Sequence, residues 1–494
     1  MKALFLFPAI ILCLNTLATS VHAQNQPDSV DLFIKGMMKK KRIPALQLAV
    51  IQHGRVVKNS TYGMANIEQD IPATAESVFS INSITKAFVG VAVMQLAEEG
   101  KLNVSDPLAK HLDSLPAEWQ KITIKDVMTH TSGLPDIDDE NEMVLGNGTE
   151  ESALKIVKAL PMEFKTGERF KYNQTGYVLI GKIITKLSGM HFTAFIESRQ
   201  FNAVGMKHTR FGDSFDIIPH DAGAYTTIQN VGGRWSYGGP LGKGFIKFPI
   251  FYRTAAGIYS TATDMASWII ALQNGTLLKN KASLSLLWEP AVLKNGKTGG
   301  FSNLLNGYAL GFPTVGRTEH PAVAPVGGGR ATFFIYPQDE LAVVILTNLM
   351  GGNPDTFTDE TAAYYLPDMH EANGFGLNPS IKKLRAALIK NGFDQAAAIA
   401  AKLQKQDASF KLTEKELNGW GYKLVAEGKL KDALPVFKLN TTLNPKSGNA
   451  FDSLAEVQDM LGDKANALKN YKMSLQLDPD NKNAVTQIKK LQGN

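Results

Sequence analysis

The sequence predicts an α+β fold, an antiparallel sheet flanked by helices with a helical lobe, followed by an all-α helical-repeat domain. Residues 45–52 and 55–62 read as two strands joined at His53-Gly54. Residues 307–312, 331–336 and 341–347 read as three more, the last two turned by Pro337-Gln338-Asp339-Glu340. Strand-forming runs thus occupy both ends of one stretch, with mainly helical or loop segments between. After Asp368 a spacing of thirty-four residues takes over, with Asn444-Pro445 recurring as Asp478-Pro479, Gly428 as Gly462, Ala433 as Ala467 and Phe437 as Tyr471.

Taken in order, residues 1–23 carry the pattern of a signal peptide. Lys2 supplies the positive start, residues 4–14 the apolar core and Val21-His22-Ala23 the small-residue cleavage pattern before Gln24. Asn15 and Thr16 interrupt the apolar run too early for a membrane span. Export to the periplasm or beyond is expected. Cys13, the only cysteine, falls inside this segment, so the mature chain is expected to hold neither a disulfide nor a cysteine-ligated metal. A first helix is expected from Asp28, with Lys39-Lys40-Lys41-Arg42 complementing its C-terminus. The formal net charge is +6, and Lys2 leaves with the signal. Lysines are interspersed with acids, without a long basic, aromatic-rich stripe, which argues against nucleic acid and leaves a weak contact with a polyanionic envelope surface open.

The organisation read from these signals is a sheet-and-lobe domain over residues 24–369, a linker over 370–380 with Gly374, Gly376 and Pro379, and helical repeats over 381–494. The repeat positions resemble tetratricopeptide repeats, paired helices whose small residues permit close packing. Two units cover residues 414–447 and 448–481, and a degenerate third lies around 381–410 with its Ala396-Ala397-Ala398 run.

The chemistry centres on Ser83-Ile84-Thr85-Lys86, where a strand-like run gives way to the apolar stretch 87–96. A serine and a lysine three apart at the start of a helix share one face, so the amine can reach the hydroxyl. Serine needs a base to become nucleophilic, and lysine serves as one only when burial or a nearby cation lowers its pKa. Ala87, Phe88, Val89, Val91, Ala92, Val93, Met94 and Leu96 leave almost no polar face, so this helix is expected to be buried all round.

Five segments support that reading in order: Tyr62-Gly63-Met64-Ala65-Asn66, residues 78–86, Met128-Thr129-His130-Thr131-Ser132-Gly133-Leu134-Pro135, Ala256-Gly257-Ile258-Tyr259-Ser260-Thr261 and Ile345-Leu346-Thr347-Asn348. Through them the chain resembles the serine beta-lactamase and penicillin-binding-protein superfamily, in its class C-like branch of esterases, D-amino-acid peptidases and carboxypeptidases. The resemblance implies a beta-lactamase/DD-peptidase-like fold. It also implies that Tyr172, in Lys171-Tyr172-Asn173-Gln174, shuttles a proton, while Gln174, standing where asparagine is usual, orients Lys86 and substrate. Asn173 and His130-Thr131-Ser132-Gly133 read as structural.

The family's third element, a lysine or histidine two residues before a glycine, aligns with Pro325-Val326-Gly327, and its cation is missing. Arg330 and His320 are the nearby replacements for recognising a substrate carboxylate, with an ordinary surface position as the alternative for each. Gly327 and Gly328 leave space for substrate against a strand edge, and the amides of Ser83 and Gly328 are expected to form an oxyanion hole, a plain flexible turn being the alternative. Lys297-Thr298-Gly299 spells the motif of the best-known relatives but lies in the glycine-rich stretch 295–300 and reads as loop.

The function expected is an exported serine hydrolase acting through an acyl-enzyme on small esters or amides, including D-amino-acid peptides and beta-lactams. The alternative is a catalytically weak sensor that binds cell-wall fragments or beta-lactams and docks partners through its repeats. No cofactor and no metal is expected, since the histidines show no ligand spacing. The partners expected are a small ester, amide or peptide substrate and, at the repeats, another protein or a second copy of the chain.

Overall fold

A computed structural model describes residues 28–139, 143–231, 234–236, 238–370 and 373–492. The signal-like segment lies outside them. Helix α1 (Ser29–Lys41) starts at Asp28, whose side chain accepts from the Asp31 amide at 2.9 Å, and ends in Lys39, Lys40 and Lys41. Strands β1 (Ala45–Gln52) and β2 (Arg55–Asn66) follow as a hairpin. His53 and Gly54 between them take φ of 50° and 70°, the paired left-handed geometry of a tight primed turn.

The sheet is completed by β3 (Ile71–Pro72) and by strands from the far end of the domain: β4 (Gly307–Tyr308), β5 (Pro313–Val315), β6 (Ala322–Val323), β7 (Val326–Gly327), β8 (Ala331–Tyr336) and β9 (Leu341–Thr347). The order is β4-β5-β6-β8-β9-β1-β2-β3, with β7 pairing β8, and neighbours run antiparallel. The expected strand over 307–312 is shortened to β4. The chain turns at Gly311 (φ 88°), where a Cβ would lie 2.3 Å from the carbonyl oxygen of Lys86. That close approach replaces strand with a bend.

Helices cover both faces. Helices α2 (Thr85–Glu98), α3 (Thr175–Ser188) and α4 (Ala262–Gln273) share a core with Ala342, Val344 and Leu346, whereas α1 and α5 (Asp355–Ala363) share one with Leu341, Val343 and Ile345. Every residue of β9 is therefore buried, as the unbroken run Leu-Ala-Val-Val-Ile-Leu requires. The lobe carrying α3 sits against α2 and presents its N-terminus to the helix that bears Lys86.

The C-terminal part is helical: α6 (Pro379–Asn391), α7 (Ala396–Gln406), α8 (Glu414–Ala426), α9 (Leu430–Leu443), α10 (Gly448–Met460), α11 (Lys464–Leu477) and α12 (Lys482–Gln492). The α8–α9 and α10–α11 pairs repeat at the thirty-four-residue spacing. A Cβ on Gly421 would lie 2.5 Å from the Phe437 ring, so the small residue sets how closely α8 and α9 approach.

Candidate active site

One turn of 3-10 helix, Asn82–Ile84, leads into α2 with Asn82 at φ 44°. Ser80 Oγ donates to Asn82 Oδ1 at 2.7 Å, and Thr85 Oγ1 donates to the Asn82 carbonyl at 2.7 Å. The turn that carries Ser83 is thus pinned on both sides. Ser83 stays partly exposed, while every residue from Thr85 to Leu96 is buried.

Lys86 is 0% exposed. Its Nζ donates to Gln174 Oε1 at 2.8 Å and to the Ala255 carbonyl at 2.7 Å. A neutral amine has two N–H groups, so these bonds use both and leave the lone pair as an acceptor. Burial lowers the amine to about 7, against a smaller upward pull from Asp136 and Asp138.

Tyr172 packs against Lys86, its ring centroid 4.7 Å from Nζ, and its phenol is near enough to the Ser83 hydroxyl for Ser83 to pull its pKa down. Burial raises the phenol above its ordinary value, Ser83 opposes that, and the charges of Asp136 and Asp138 add to it. The phenol therefore stays protonated beside an amine that gives up its proton near neutrality. Gln174 precedes α3, and its amide and that of Thr175 donate to Asp136 Oδ1 at 2.8 Å and 3.4 Å. Asp136 fixes the helix entry that aims Gln174 at Lys86.

Asn173 spends its side chain internally, donating to the Leu134 carbonyl at 3.0 Å and accepting from the Gly176 amide at 2.9 Å. His130 is buried with its ring 4.4 Å from Tyr172 and 4.5 Å from Tyr308, and its Nδ1 accepts from the Asn173 amide at 3.1 Å. Burial first and the Lys86 charge second hold it well below the ordinary imidazole value, so it packs as a neutral ring.

The strand edge approaches Ser83 at Gly327. A Cβ there would lie 2.0 Å from the Ile81 carbonyl oxygen and 3.2 Å from the Ser83 nitrogen. Gly328 (φ 53°) and Gly329 (φ 61°) turn the chain into β8, and a Cβ on Gly328 would strike Asn82 Nδ2 at 2.2 Å. Only glycine fits this contact.

Neither replacement cation reaches a ligand. Arg330 is 1% exposed, with Nε and Nη2 lacking hydrogen-bond partners, and desolvation lowers it to about 10. His320 is held between Asp339 and Asp368, each at 2.9 Å. The expectation that either residue offers its charge to a substrate carboxylate loses its basis, because one is closed off from solvent and the other is already ion-paired. Lys297 lies outside helix and strand, as expected.

Sequence reasoning missed four contributors. The Ala255 carbonyl is backbone and leaves no side-chain signal. Asp136 directly follows the Ser132-Gly133-Leu134-Pro135 turn, a position that does mark it. Asp138 accepts from Tyr252 at 2.5 Å, and Phe301 sets its ring 5.0 Å from that of Tyr172. These partners are far apart in the chain. A separate cavity of about 610 Å³ borders the far side of α3, lined by Leu115, Leu154, Lys182, Lys186 and Phe192, and includes none of Ser83, Lys86 or Tyr172. Among the described residues no cluster of His, Cys, Asp or Glu has the makings of a metal site.

A family model described as Beta-lactamase matches residues 30–365. The chain belongs to the beta-lactamase family. Members of this superfamily are serine hydrolases, and the sheet, lobe and Ser83-Lys86 helix of this beta-lactamase-family chain carry that relationship. It is 30% identical to Protein flp of Staphylococcus aureus strain MW2 over 201 residues, 40% of each chain. It is 28% identical to the putative penicillin-binding protein PbpX of Bacillus subtilis over 235 residues, 47% of this chain and 56% of that one. The matched region thus spans 40% of the first relative and 56% of the second.

Among solved structures, the octameric penicillin-binding protein homologue from Pyrococcus abyssi superposes with TM-score 0.58 at 25% identity, covering 68% of this chain and 76% of that one. The D-amino acid amidase from Ochrobactrum anthropi SV3, complexed with L-phenylalanine, superposes with TM-score 0.56 at 20% identity, covering 69% and 98%. At that identity the likeness is one of fold. Among the described residues no helix is long and apolar enough to cross a membrane.

Proposed function

We propose that this chain is an exported serine hydrolase that cleaves small esters or amides through an acyl-enzyme on Ser83. The observation that carries the reading is the fully buried Lys86, whose amine sits near 7 with both N–H groups taken by Gln174 and Ala255. Its lone pair is what remains to draw the Ser83 proton, through Tyr172. Ser83 attacks the carbonyl, the amides of Ser83 and Gly328 receive the oxyanion, and Tyr172 returns the proton to the leaving group. Water then releases the acid by the reverse relay.

The substrate class includes D-amino-acid peptides and beta-lactams as members to be profiled. Without a cation at Pro325 or Val326, and with Arg330 enclosed, a free carboxylate on the substrate gains no partner there. The C-terminal helix pairs act as tetratricopeptide-like docking repeats in this reading. The test is labelling by a fluorophosphonate, read by intact mass. Wild-type protein gains one adduct and Ser83→Ala gains none, whereas equal labelling of both removes Ser83 from the mechanism.

A further inference from the structure

Two loops outside the site expose side chains that globular surfaces normally cover. Phe215 is 70% exposed, Ile217 97% and Phe245 70%. The loops that carry them are fastened together: the Ser214 amide donates to the Ile246 carbonyl at 3.0 Å, the Ile246 amide to Ser214 Oγ at 3.0 Å, and the Phe248 amide to Asp213 Oδ2 at 2.8 Å. Phe215 and Phe245 flank that link, one residue to either side. The apolar group is therefore held out on a tied scaffold, and such groups mark contact surfaces.

The charge on the loop that carries Phe245 is one-sided in sequence. From residue 222 to residue 263 there is no Asp or Glu, while Arg234, Lys243, Lys247 and Arg253 are all basic. Nearby acids are engaged: Asp216 and Asp213 lie 2.6 Å and 3.8 Å from Arg253, and Glu68 lies 3.3 Å from Lys243. Lys247 is exposed two residues from Phe245, without an ion pair among the described residues. Phe245 beside the unneutralised Lys247 in an acid-free stretch, facing a Phe215–Ile217 loop whose Asp213 and Asp216 are taken by Arg253, matches the physics of interfacial binding to anionic lipid.

We propose that the loop pair bearing Phe215, Ile217 and Phe245 docks this protein on an anionic lipid bilayer surface, with Lys247 meeting the headgroups. The same segment runs on through Arg253 to Ala255, whose carbonyl accepts from Lys86. A second copy meeting this face through the same residues sets Lys247 against Lys247, so that occupant is disfavoured.

The experiment is co-sedimentation of the protein without its signal segment with vesicles of equal phosphatidylglycerol and phosphatidylcholine, against phosphatidylcholine alone. Wild type is expected to pellet with the anionic vesicles and to be released as salt rises. The double variant Phe215→Ser with Phe245→Ser is expected to bind at least about tenfold more weakly, and Lys247→Glu several-fold more weakly. Fluorophosphonate labelling of Ser83 in each variant reports that the fold is intact. Wild type left in the supernatant, or a double variant that pellets equally, overturns the proposal. So does a wild-type dimer that the double variant converts to monomer.

Discussion

The placement of Lys86 rests on a contradiction that only its surroundings resolve. A lysine with 0% exposure suffers desolvation of its charged form, and here the structure offers two carbonyls as direct partners rather than a direct carboxylate. The neutral amine is the form this environment favours. Because burial brings its pKa down to about 7, the base form dominates above that pH and is lost below it. Acylation measured as kcat/KM is therefore expected to rise with pH up to about 7 and then level, falling about tenfold for each unit below. A profile flat from pH 5 to 8 removes Lys86 as the base. Tyr172 does not supply that limb, since burial moves its phenol upward and keeps it protonated throughout the range.

At the scale of elements, the site depends on segments distant in sequence being tied together. Asn348, 2% exposed at the end of β9, accepts from the Ala45 amide at 2.8 Å and donates to the Ala222 carbonyl at 2.8 Å and the Met64 carbonyl at 3.2 Å. One side chain thus fastens the start of β1, the end of β2 and the segment between the two exposed aromatics. Asn348→Ala leaves these backbone groups without their partner, and a loss of about 1–3 kcal/mol in unfolding free energy is expected from urea titration. A change under a few tenths of a kcal/mol shows the tie to be dispensable. Asp136 plays the matching role in the lobe, its one oxygen holding two amides at the entry to α3.

For the whole molecule, the buried clusters separate the sheet-and-lobe part from the helical repeats. The two clusters built on the sheet reach as far as Met369, and the helical ones begin at Ile381. Between them runs the exposed Lys382–Glu319 ion pair at 2.7 Å, a contact worth about 1 kcal/mol or less. A protein ending at Asn378 is expected to fold and to accept the fluorophosphonate at Ser83 at a rate within about twofold of the full chain. Failure to label, with secondary structure retained, would make the repeats part of the active unit.

The legible portion of this protein was local. The strand-forming runs and turns of β1, β2, β8 and β9 and the apolar run of α2 are properties of neighbouring residues, and the thirty-four-residue spacing is a period along the chain, so run, turn chemistry and period express them directly. Ser83, Lys86 and Tyr172 were singled out as candidates because their motifs stand in order. The bend that cuts short β4, the carbonyl of Ala255 on the amine, and the anchoring of Gln174 by Asp136 were decided only in three dimensions. Each is a contact between segments separated by tens to hundreds of residues, or made by backbone atoms that every residue shares. Arg330 shows the limit most sharply: its charge is written in the sequence, but whether that charge meets solvent depends on what the fold packs around it.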